Sequence, residues 1–318
     1  MLAINEEALA CAGIYVPKTG RIDPDLAGHH NLAWQIYNPY QFDRNAGTLD
    51  EMFDEIRRAD MPTVCVSSEE FEFLGAHREK LQELFDGFLS VGYEPCAVLY
   101  LRPQADYLES LYATIIKRWT VDFSDFVGSI IANGSFGESQ FNYYLLIKNF
   151  ERVFGAAGLR IKRFRSEAAP KVLLSEFLEI ICDGGGTIDR GAIRWPARLN
   201  TSLKCDEVLA VRAELLGEDA SESAGRSMRP SAAATIKGAE FAPLTLFEVV
   251  QILVSCWPSN DRIWREYGVH ISGATRRMLR REISATVIAN EAQREKKRLM
   301  RSIGKPDVPS QAGEAHCR

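Results

Sequence analysis

Apolar positions along the first half of the chain follow two different periods. A spacing of three to four residues predicts amphipathic helices, whereas short alternating or continuous apolar runs predict β-strands. The helical segments are residues 5–12, 49–59, 71–91, 104–119, 141–154 and 171–181, and the strand segments are 63–67, 96–101 and 159–164. Strands separated by helices of this length indicate β-α-β crossovers, and hence a parallel sheet with helices on both faces.

The second half of the chain has a different pattern. Residues 217–240 are rich in Ser, Ala and Gly and poor in large apolar side chains, which is typical of a flexible loop or linker. Helical periodicity returns over 244–257, 261–267 and 273–303. We therefore predict four parts, which are an α/β core over 1–216, a linker over 217–240, a helical part packing on the core over 241–303, and a disordered tail over 304–318.

Composition narrows the class of protein without naming a function. Of 318 residues, 46% are hydrophobic and 25% are charged, which excludes a wholly disordered chain because this much apolar surface can build a core. The net charge of −5 argues against a nucleic-acid binder driven by overall positive charge. No segment approaches the roughly 18 to 20 apolar residues that cross a bilayer, and no secretory signal is visible, so we expect a cytoplasmic protein. None of the seven cysteines has metal-ligand spacing, which favours reduced thiols and no metal site.

The charge is unevenly distributed along the chain. Residues 275–318 carry 11 basic and 5 acidic side chains, whereas the preceding residues carry a net charge of −11. Leu279, Ile283 and Val287 share one helical face within this basic segment. An amphipathic cationic helix can bind an anionic membrane or polymer, and a solvated helix packed on the acidic body is the other interpretation.

The most specific local feature lies around Arg102. The apolar run 96–101 ends at this residue, and Ser110 follows eight residues later in a predicted helix. A strand end and a helix N-terminus meet here, where backbone amides and the helix dipole favour an anion. A guanidinium can grip a phosphate with two hydrogen bonds, and a hydroxyl can add a third. The alternative is an ion pair of Arg102 with Asp106 or Glu109.

This Arg and Ser pattern resembles the 3′-phosphate-binding motif of sulfotransferases that use 3′-phosphoadenosine 5′-phosphosulfate (PAPS). More closely, the chain resembles bacterial members of that family that are associated with surface polysaccharides. The segments that carry the likeness are 28–34, 67–71, 100–102, 106–112, 154–155, 163–164, 198–202, 259–260 and 267–268. The resemblance implies a three-layer α/β fold of the P-loop NTPase type with a helical C-terminal extension. It also implies PAPS as co-substrate, no metal, and a hydroxyl acceptor on a saccharide.

The chain departs from that family at its N-terminus. Such proteins begin with a strand that leads into a Lys-Thr-Gly-Ser/Thr loop around the 5′-phosphosulfate. This sequence opens at what resembles the following helix, so the resemblance implies a truncation before the donor-phosphate loop. Lys18-Thr19-Gly20-Arg21 is a possible substitute because it follows an apolar run, but Arg21 stands where a hydroxyl residue belongs. A surface turn is the other interpretation.

The acid-base chemistry is assigned to residues that follow the first predicted strand, 63–67. Related sulfotransferases place the base at the end of the strand before the phosphate-binding strand, and Glu69 occupies that position here. Helix capping by Ser67 or Ser68, with acidic residues favouring the dipole, explains the same pattern. His30 is the second candidate base, and packing within its loop is the alternative for it and for His29.

These observations predict a sulfotransferase. Arg102 and Ser110 would bind the 3′-phosphate of the nucleotide, and Glu69, or else His30, would deprotonate the acceptor. The segment 198–202 would line the nucleotide or acceptor site, unless its hydroxyls cap a helix. The rival hypothesis, from a non-enzyme class, is a catalytically degenerate sulfotransferase-like protein that binds or scaffolds.

Overall fold

The computed structural model describes residues 2–23, 28–116, 121–137, 139–165, 170–182, 187–195, 208, 244 and 246–271. Within these residues the chain is a mixed α/β protein. Its helices are α1 (Glu6–Cys11), α2 (His30–Tyr37), α3 (Leu49–Ala59), α4 (Arg78–Ser90), α5 (Gln104–Ile115), α6 (Phe123–Asn133), α7 (Tyr143–Phe154), α8 (Pro170–Cys182) and α9 (Leu246–Tyr267). Its strands are β1 (Ile14–Tyr15), β2 (Thr63–Val64), β3 (Ala97–Leu101), β4 (Ser135–Phe136), β5 (Ser139–Gln140) and β6 (Leu159–Arg163). Short 3₁₀ turns cover Ala3–Asn5, Arg44–Ala46 and Glu69–Ala76.

Helix α3 shows why the strongest sequence patterns predict their elements to the residue. The hydroxyl of Thr48 accepts a hydrogen bond from the backbone of Glu51, and the Glu51 carboxylate accepts one from the backbone of Thr48. This capping box begins the helix by satisfying amide groups that have no partner within it. Asp60 ends the helix in the left-handed conformation. Its apolar residues, among them the buried Met52 and Ile56, recur with helical spacing and face the core.

The strands form two parallel pairs, which confirms the predicted parallel arrangement. β1 pairs with β2, and Ile14 lies opposite Thr63. β3 pairs with β6 over their full length, from Ala97 opposite Leu159 to Leu101 opposite Arg163. β4 and β5 form a separate short antiparallel hairpin.

β2 and β3 belong to different strand pairs and are not hydrogen-bonded neighbours. Two phenol hydrogen bonds connect the segments that flank them. Before the two strands begin, the phenol of Tyr93 donates to the carbonyl of Met61 at 2.5 Å. Beyond their C-terminal ends, the phenol of Tyr107 donates to the carboxylate of Glu72 at 2.6 Å. In a parallel pair, every second residue points its backbone N–H and C=O groups away from the partner strand. On β2, Val64 is such a residue, and its backbone groups point away from β1. The edge of β2 away from β1 and the edge of β3 away from β6, here called the inner edges, carry no ladder hydrogen bonds among the described residues.

One layer of aromatic side chains covers one face of both strand pairs. Phe53 of α3 and Phe88 of α4 meet edge to face, with ring centroids 5.2 Å apart. The same two rings pack in the cluster that includes Val64 of β2 and in the cluster that includes Leu99 of β3. This shared layer aligns the two pairs where backbone hydrogen bonds do not.

Helix α8 lies against the opposite face. Leu174 and Leu178 of α8 pack in the same cluster as Cys65, the residue that follows β2. Burial and the nearby Glu176 carboxylate of α8 raise the pKa of Tyr100 on β3 to about 12. Helix α8 therefore contacts residues of both strand pairs.

Strand β3 is less buried than its continuous apolar sequence predicts. Leu101 is buried, but the other residues of the strand are only half-buried. A strand enclosed by neighbours on both edges would exclude water from the whole run. Among the described strands β3 is paired with β6 on one edge only, which explains the difference.

Helix α9 is one continuous helix, so the prediction of separate helices at 244–257 and 261–267 is wrong. Pro258 lies inside it and removes one backbone donor. The carbonyl that loses this donor belongs to Val254, which lies on the solvent side, where water can satisfy the group. The side chains of Asn260 and Gln104 exchange two hydrogen bonds, at 2.8 and 3.1 Å, and these join α9 to the start of α5.

Sequence patterns did not predict α2, α6 or the β4–β5 hairpin. The predicted linker at 217–240, the helical segment 273–303 and the tail 304–318 lie outside the described residues. In the part of the chain that the structure describes, no helix has the length and hydropathy needed to span a bilayer.

The shared aromatic layer makes Phe53 important for the stability of the fold. We expect Phe53→Ala to lower the free energy of unfolding by about 2 to 4 kcal/mol, because it removes apolar contacts from both strand pairs and leaves a cavity. Urea denaturation followed by circular dichroism measures the loss. Tyr40→Ala is the control, since Tyr40 is 98% exposed. Equal midpoints for the two variants would contradict a shared layer.

Candidate functional site

The C-terminal ends of β1, β2 and β3 lie at one edge of the parallel strands. His29 connects the first two, because its ring contacts the carbonyl of Pro17 after β1 and the backbone of Ser67 after β2. The bond between Tyr107 and Glu72 connects the segments that follow β2 and β3. Ligand sites in parallel α/β sheets form at this kind of edge.

His29 has a structural role at this edge. Its Nε2 lies 2.9 Å from the Pro17 carbonyl, and its Nδ1 accepts the amide of Ser67 at 3.1 Å. Burial lowers the pKa of the imidazole, so the neutral ring is favoured. The packing interpretation is therefore the one that fits His29.

His30 occupies the first position of α2 and lies closer to solvent. Its Nδ1 is 2.9 Å from the hydroxyl of Ser68. A Cβ added at Gly28 would lie 2.6 Å from Nε2 of His30, so the glycine lets the ring approach the backbone. With its proton on Nδ1 and donated to Ser68, the ring presents an unprotonated Nε2 that can accept a proton.

Glu69 begins the 3₁₀ turn after β2 and is exposed. Ser68 caps this turn by accepting the amide of Glu70 at 3.1 Å, as the capping interpretation predicted. Ser68 also contacts His30 and precedes Glu69 in the chain, so both candidate bases adjoin Ser68. The cap and an exposed carboxylate at the strand edge are both present, so capping does not exclude a role for Glu69 in proton transfer.

Glu72 is a carboxylate that the sequence patterns did not single out. Burial raises its pKa to about 7, although the hydrogen bond from Tyr107 opposes the shift. The charges of Glu69 and Glu70 raise it further. A carboxyl with a pKa close to neutrality can hold or release a proton under ordinary conditions. The acidic residues after β2 are evident in the sequence. The contact that distinguishes Glu72 is not, because Tyr107 lies 35 residues away from it in the chain.

Arg102 follows β3 and leads into α5, as predicted. Its backbone is held by Tyr143, whose phenol donates to the Arg102 carbonyl at 2.8 Å. Its guanidinium carbon lies 5.5 Å from the ring centroid of Phe164, the residue after β6. The Nε of Arg102 is buried and meets no hydrogen-bond acceptor among the described residues.

Ser110 lies on α5, one turn after Tyr107. Six residues separate it from the start of the helix at Gln104, which corresponds to a rise of about 9 Å. It is half-buried, and its carbonyl accepts the hydroxyl of Thr114 at 3.1 Å. Arg102 thus lies at the end of β3, whereas Ser110 lies farther along α5. A single ligand that contacts both side chains must therefore extend along the first two turns of the helix.

The Lys18–Arg21 segment forms a turn whose amides already bind an anion from the protein. The carboxylate of Glu55 on α3 accepts the amides of Lys18 at 2.8 Å and Thr19 at 2.9 Å, and also the phenol of Tyr15 at 2.6 Å. Burial raises the pKa of Glu55, but these hydrogen bonds outweigh burial and lower it. The guanidinium of Arg21 is buried and binds two backbone carbonyls and Glu6. The surface-turn interpretation therefore fits this segment better than a phosphate loop.

Two further expectations concern residues outside this edge. The candidate lining segment 198–202 lies outside the described residues. Cys65 and Cys256 are buried, and burial raises the pKa of both thiols, so they remain protonated. Within the described ranges, no three His, Cys, Asp or Glu side chains gather where they could hold a metal ion.

Comparisons of the chain with protein-family models, curated proteins and solved structures gave no match.

The raised pKa of Glu72 predicts a pH-dependent stability. The folded chain retains this proton up to about pH 7, whereas the unfolded chain releases it near pH 4.5. The stabilisation from Glu72 is therefore complete below pH 4.5 and is lost as the pH rises through 7. Glu72→Gln cannot ionise, so we expect it to exceed the wild type in stability at pH 8 by on the order of 3 kcal/mol and to match it near pH 4.5.

Urea denaturation of the wild type and Glu72→Gln at several pH values measures this difference. Glu94→Gln is the control, because Glu94 is exposed. If Glu72→Gln and the wild type lose stability in parallel between pH 5 and 8, the carboxyl of Glu72 does not titrate in this range.

Proposed function

We propose that this chain is a sulfotransferase that transfers the sulfuryl group of PAPS to a hydroxyl of a carbohydrate. The observation that supports this most directly is Arg102. Its side chain stands at the C-terminal edge of parallel strands and has a buried Nε without an acceptor among the described residues. A bidentate guanidinium contact to the 3′-phosphate would satisfy that donor.

In the proposed reaction, the acceptor oxygen attacks sulfur in line with the leaving 5′-phosphate. A new S–O bond forms to the acceptor as the S–O bond to the phosphate breaks, and adenosine 3′,5′-bisphosphate leaves. The acceptor proton passes to the carboxylate of Glu69, or otherwise to Nε2 of His30. Both groups lie beside Ser68 at the end of β2.

We also propose that the fold is of the three-layer P-loop NTPase type. One further parallel strand between β2 and β3 would pair with both inner edges and join the two strand pairs into one sheet. The family that the chain resembles has a strand that leads into the donor loop. A strand in this position would deliver such a loop beside Glu69 and Arg102, at the edge where the other candidate residues lie.

A second candidate function is binding without catalysis. It is favoured by the contact between Glu55 and the amides of Lys18 and Thr19, because a carboxylate from the protein satisfies these donors. A sulfotransferase-like protein that binds the nucleotide through Arg102 and carries out no transfer would keep this arrangement.

Arg102→Ala should abolish calorimetric binding of adenosine 3′,5′-bisphosphate, because it removes the guanidinium that faces the 3′-phosphate. Arg190→Ala is the matched control, since Arg190 is an exposed arginine paired with Glu179 away from the strand edge. Wild-type affinity in Arg102→Ala would remove the central assignment.

Glu69→Gln should retain the nucleotide and slow transfer about a hundredfold, the scale of general-base catalysis. Release of adenosine 3′,5′-bisphosphate from PAPS in the presence of a panel of saccharides measures the rate. Glu94→Gln, at an exposed position, controls for the loss of one charge. Unchanged turnover would exclude Glu69 as the base, and nucleotide binding by a wild type that releases no product would support the binding-only function.

A further inference from the structure

Helix α9 has two apolar faces, and only one of them packs against other residues that the structure describes. Val249, Ile252, Cys256 and Ile263 are buried against the neighbouring helices. The side chains on the other face are Phe247, Val250, Val254, Trp257 and Trp264, and they are between 48% and 70% exposed. We call these five residues the α9 stripe.

The α9 stripe is continuous along the helix. Its residues recur at intervals of three, four, three and seven, which keeps them on one side of a 3.6-residue period. Asp261 falls on the same line, but its carboxylate pairs with Arg265 at 2.9 Å. Single exposed apolar residues are common on proteins, whereas a line of five that includes two tryptophans marks a surface that binds something.

The chemistry of the α9 stripe and of the chain that follows it points to one kind of partner. Tryptophan and phenylalanine suit the boundary between lipid headgroups and acyl chains, where an aromatic body can be buried while polar groups stay hydrated. Residues 275–318, which follow α9, carry a net charge of +6, whereas the rest of the chain carries −11. An anionic bilayer would attract only this end of the molecule.

We propose that the α9 stripe is a peripheral membrane-binding surface for anionic lipid bilayers. The aromatic side chains enter the headgroup region, and the basic residues after α9 supply the electrostatic attraction. No part of this surface is used by the proposed sulfuryl transfer, so it can be tested separately.

Sedimentation of the full chain with phosphatidylcholine vesicles, with and without phosphatidylserine, tests the proposal. We expect binding to vesicles that contain phosphatidylserine, and we expect it to weaken as the salt concentration rises. Trp257→Ser/Trp264→Ser should reduce vesicle affinity at least about tenfold, because it removes most of the aromatic area that the bilayer would bury. Tyr40→Ser is the control, since it removes an even more exposed aromatic ring outside the stripe.

A second full-length variant separates the electrostatic contribution. Changing Arg276, Arg277, Arg280 and Arg281 to Glu should abolish the preference for phosphatidylserine and leave the α9 stripe intact. Equal binding of this variant and the wild type would overturn the electrostatic part of the proposal.

Two other occupants of the α9 stripe would give different results. If a second copy of the chain covers it, light scattering will show a dimer that Trp257→Ser/Trp264→Ser dissociates, and the wild type will not bind vesicles. If the chain's own C-terminal segment covers it, the double variant will lower the urea midpoint, and vesicles will again not bind the wild type. Either result overturns the proposal.

Discussion

Two phenol hydrogen bonds and one pair of aromatic rings that meet edge to face connect the β1–β2 pair with the β3–β6 pair. Backbone ladders unite each strand pair internally but do not cross between the pairs. The alignment of the whole C-terminal edge therefore depends on Tyr93, Tyr107 and the Phe53–Phe88 contact. This alignment also determines where Glu69 and Arg102 lie relative to each other, since Glu69 comes after β2 and Arg102 comes after β3.

The same constraint connects the fold to acid-base chemistry. Tyr107 donates to Glu72, so the carboxyl that helps to align the strands is also the one whose pKa is raised to about 7. Ionisation would place a charge in a buried position beside Glu69 and Glu70. Changes of protonation near neutral pH can thus affect both the stability of the edge and the electrostatic environment of the candidate base.

Elements with strong local signals could be predicted from the sequence. Helix α3 has a complete capping box and regular apolar spacing, and α7 ends at Gly155, which adopts a positive φ. Strands β3 and β6 were evident because short apolar or alternating runs lay between clear helices. Helix α2 was not predicted, because it begins at His30 without a side-chain cap and its residues 31–33 are all buried, including Asn31.

The candidate site was only partly predictable, because its contacts join distant parts of the chain. The ends of strands indicated Arg102 and Glu69 without any knowledge of their neighbours. The partners of Glu72 and Glu55 lie 35 to 40 residues away, and local periodicity contains no information about such contacts. The exposure of β3 was likewise unpredictable, since it depends on whether a neighbouring strand is present on its inner edge.

The contact between Glu55 and the Lys18–Thr19 turn prevents weakly binding anions from occupying that turn. Glu55 belongs to the same chain as the turn, so it competes with dissolved anions for the amides of Lys18 and Thr19 as an intramolecular ligand. The effective concentration of such a ligand is in the millimolar range or above. A dissolved anion would have to displace this intramolecular competitor and also separate it from Tyr15. The turn would therefore exchange its ligand only if the Glu55 side chain moved away, so any anion binding there is coupled to the conformation of a side chain on the helix that also carries Phe53.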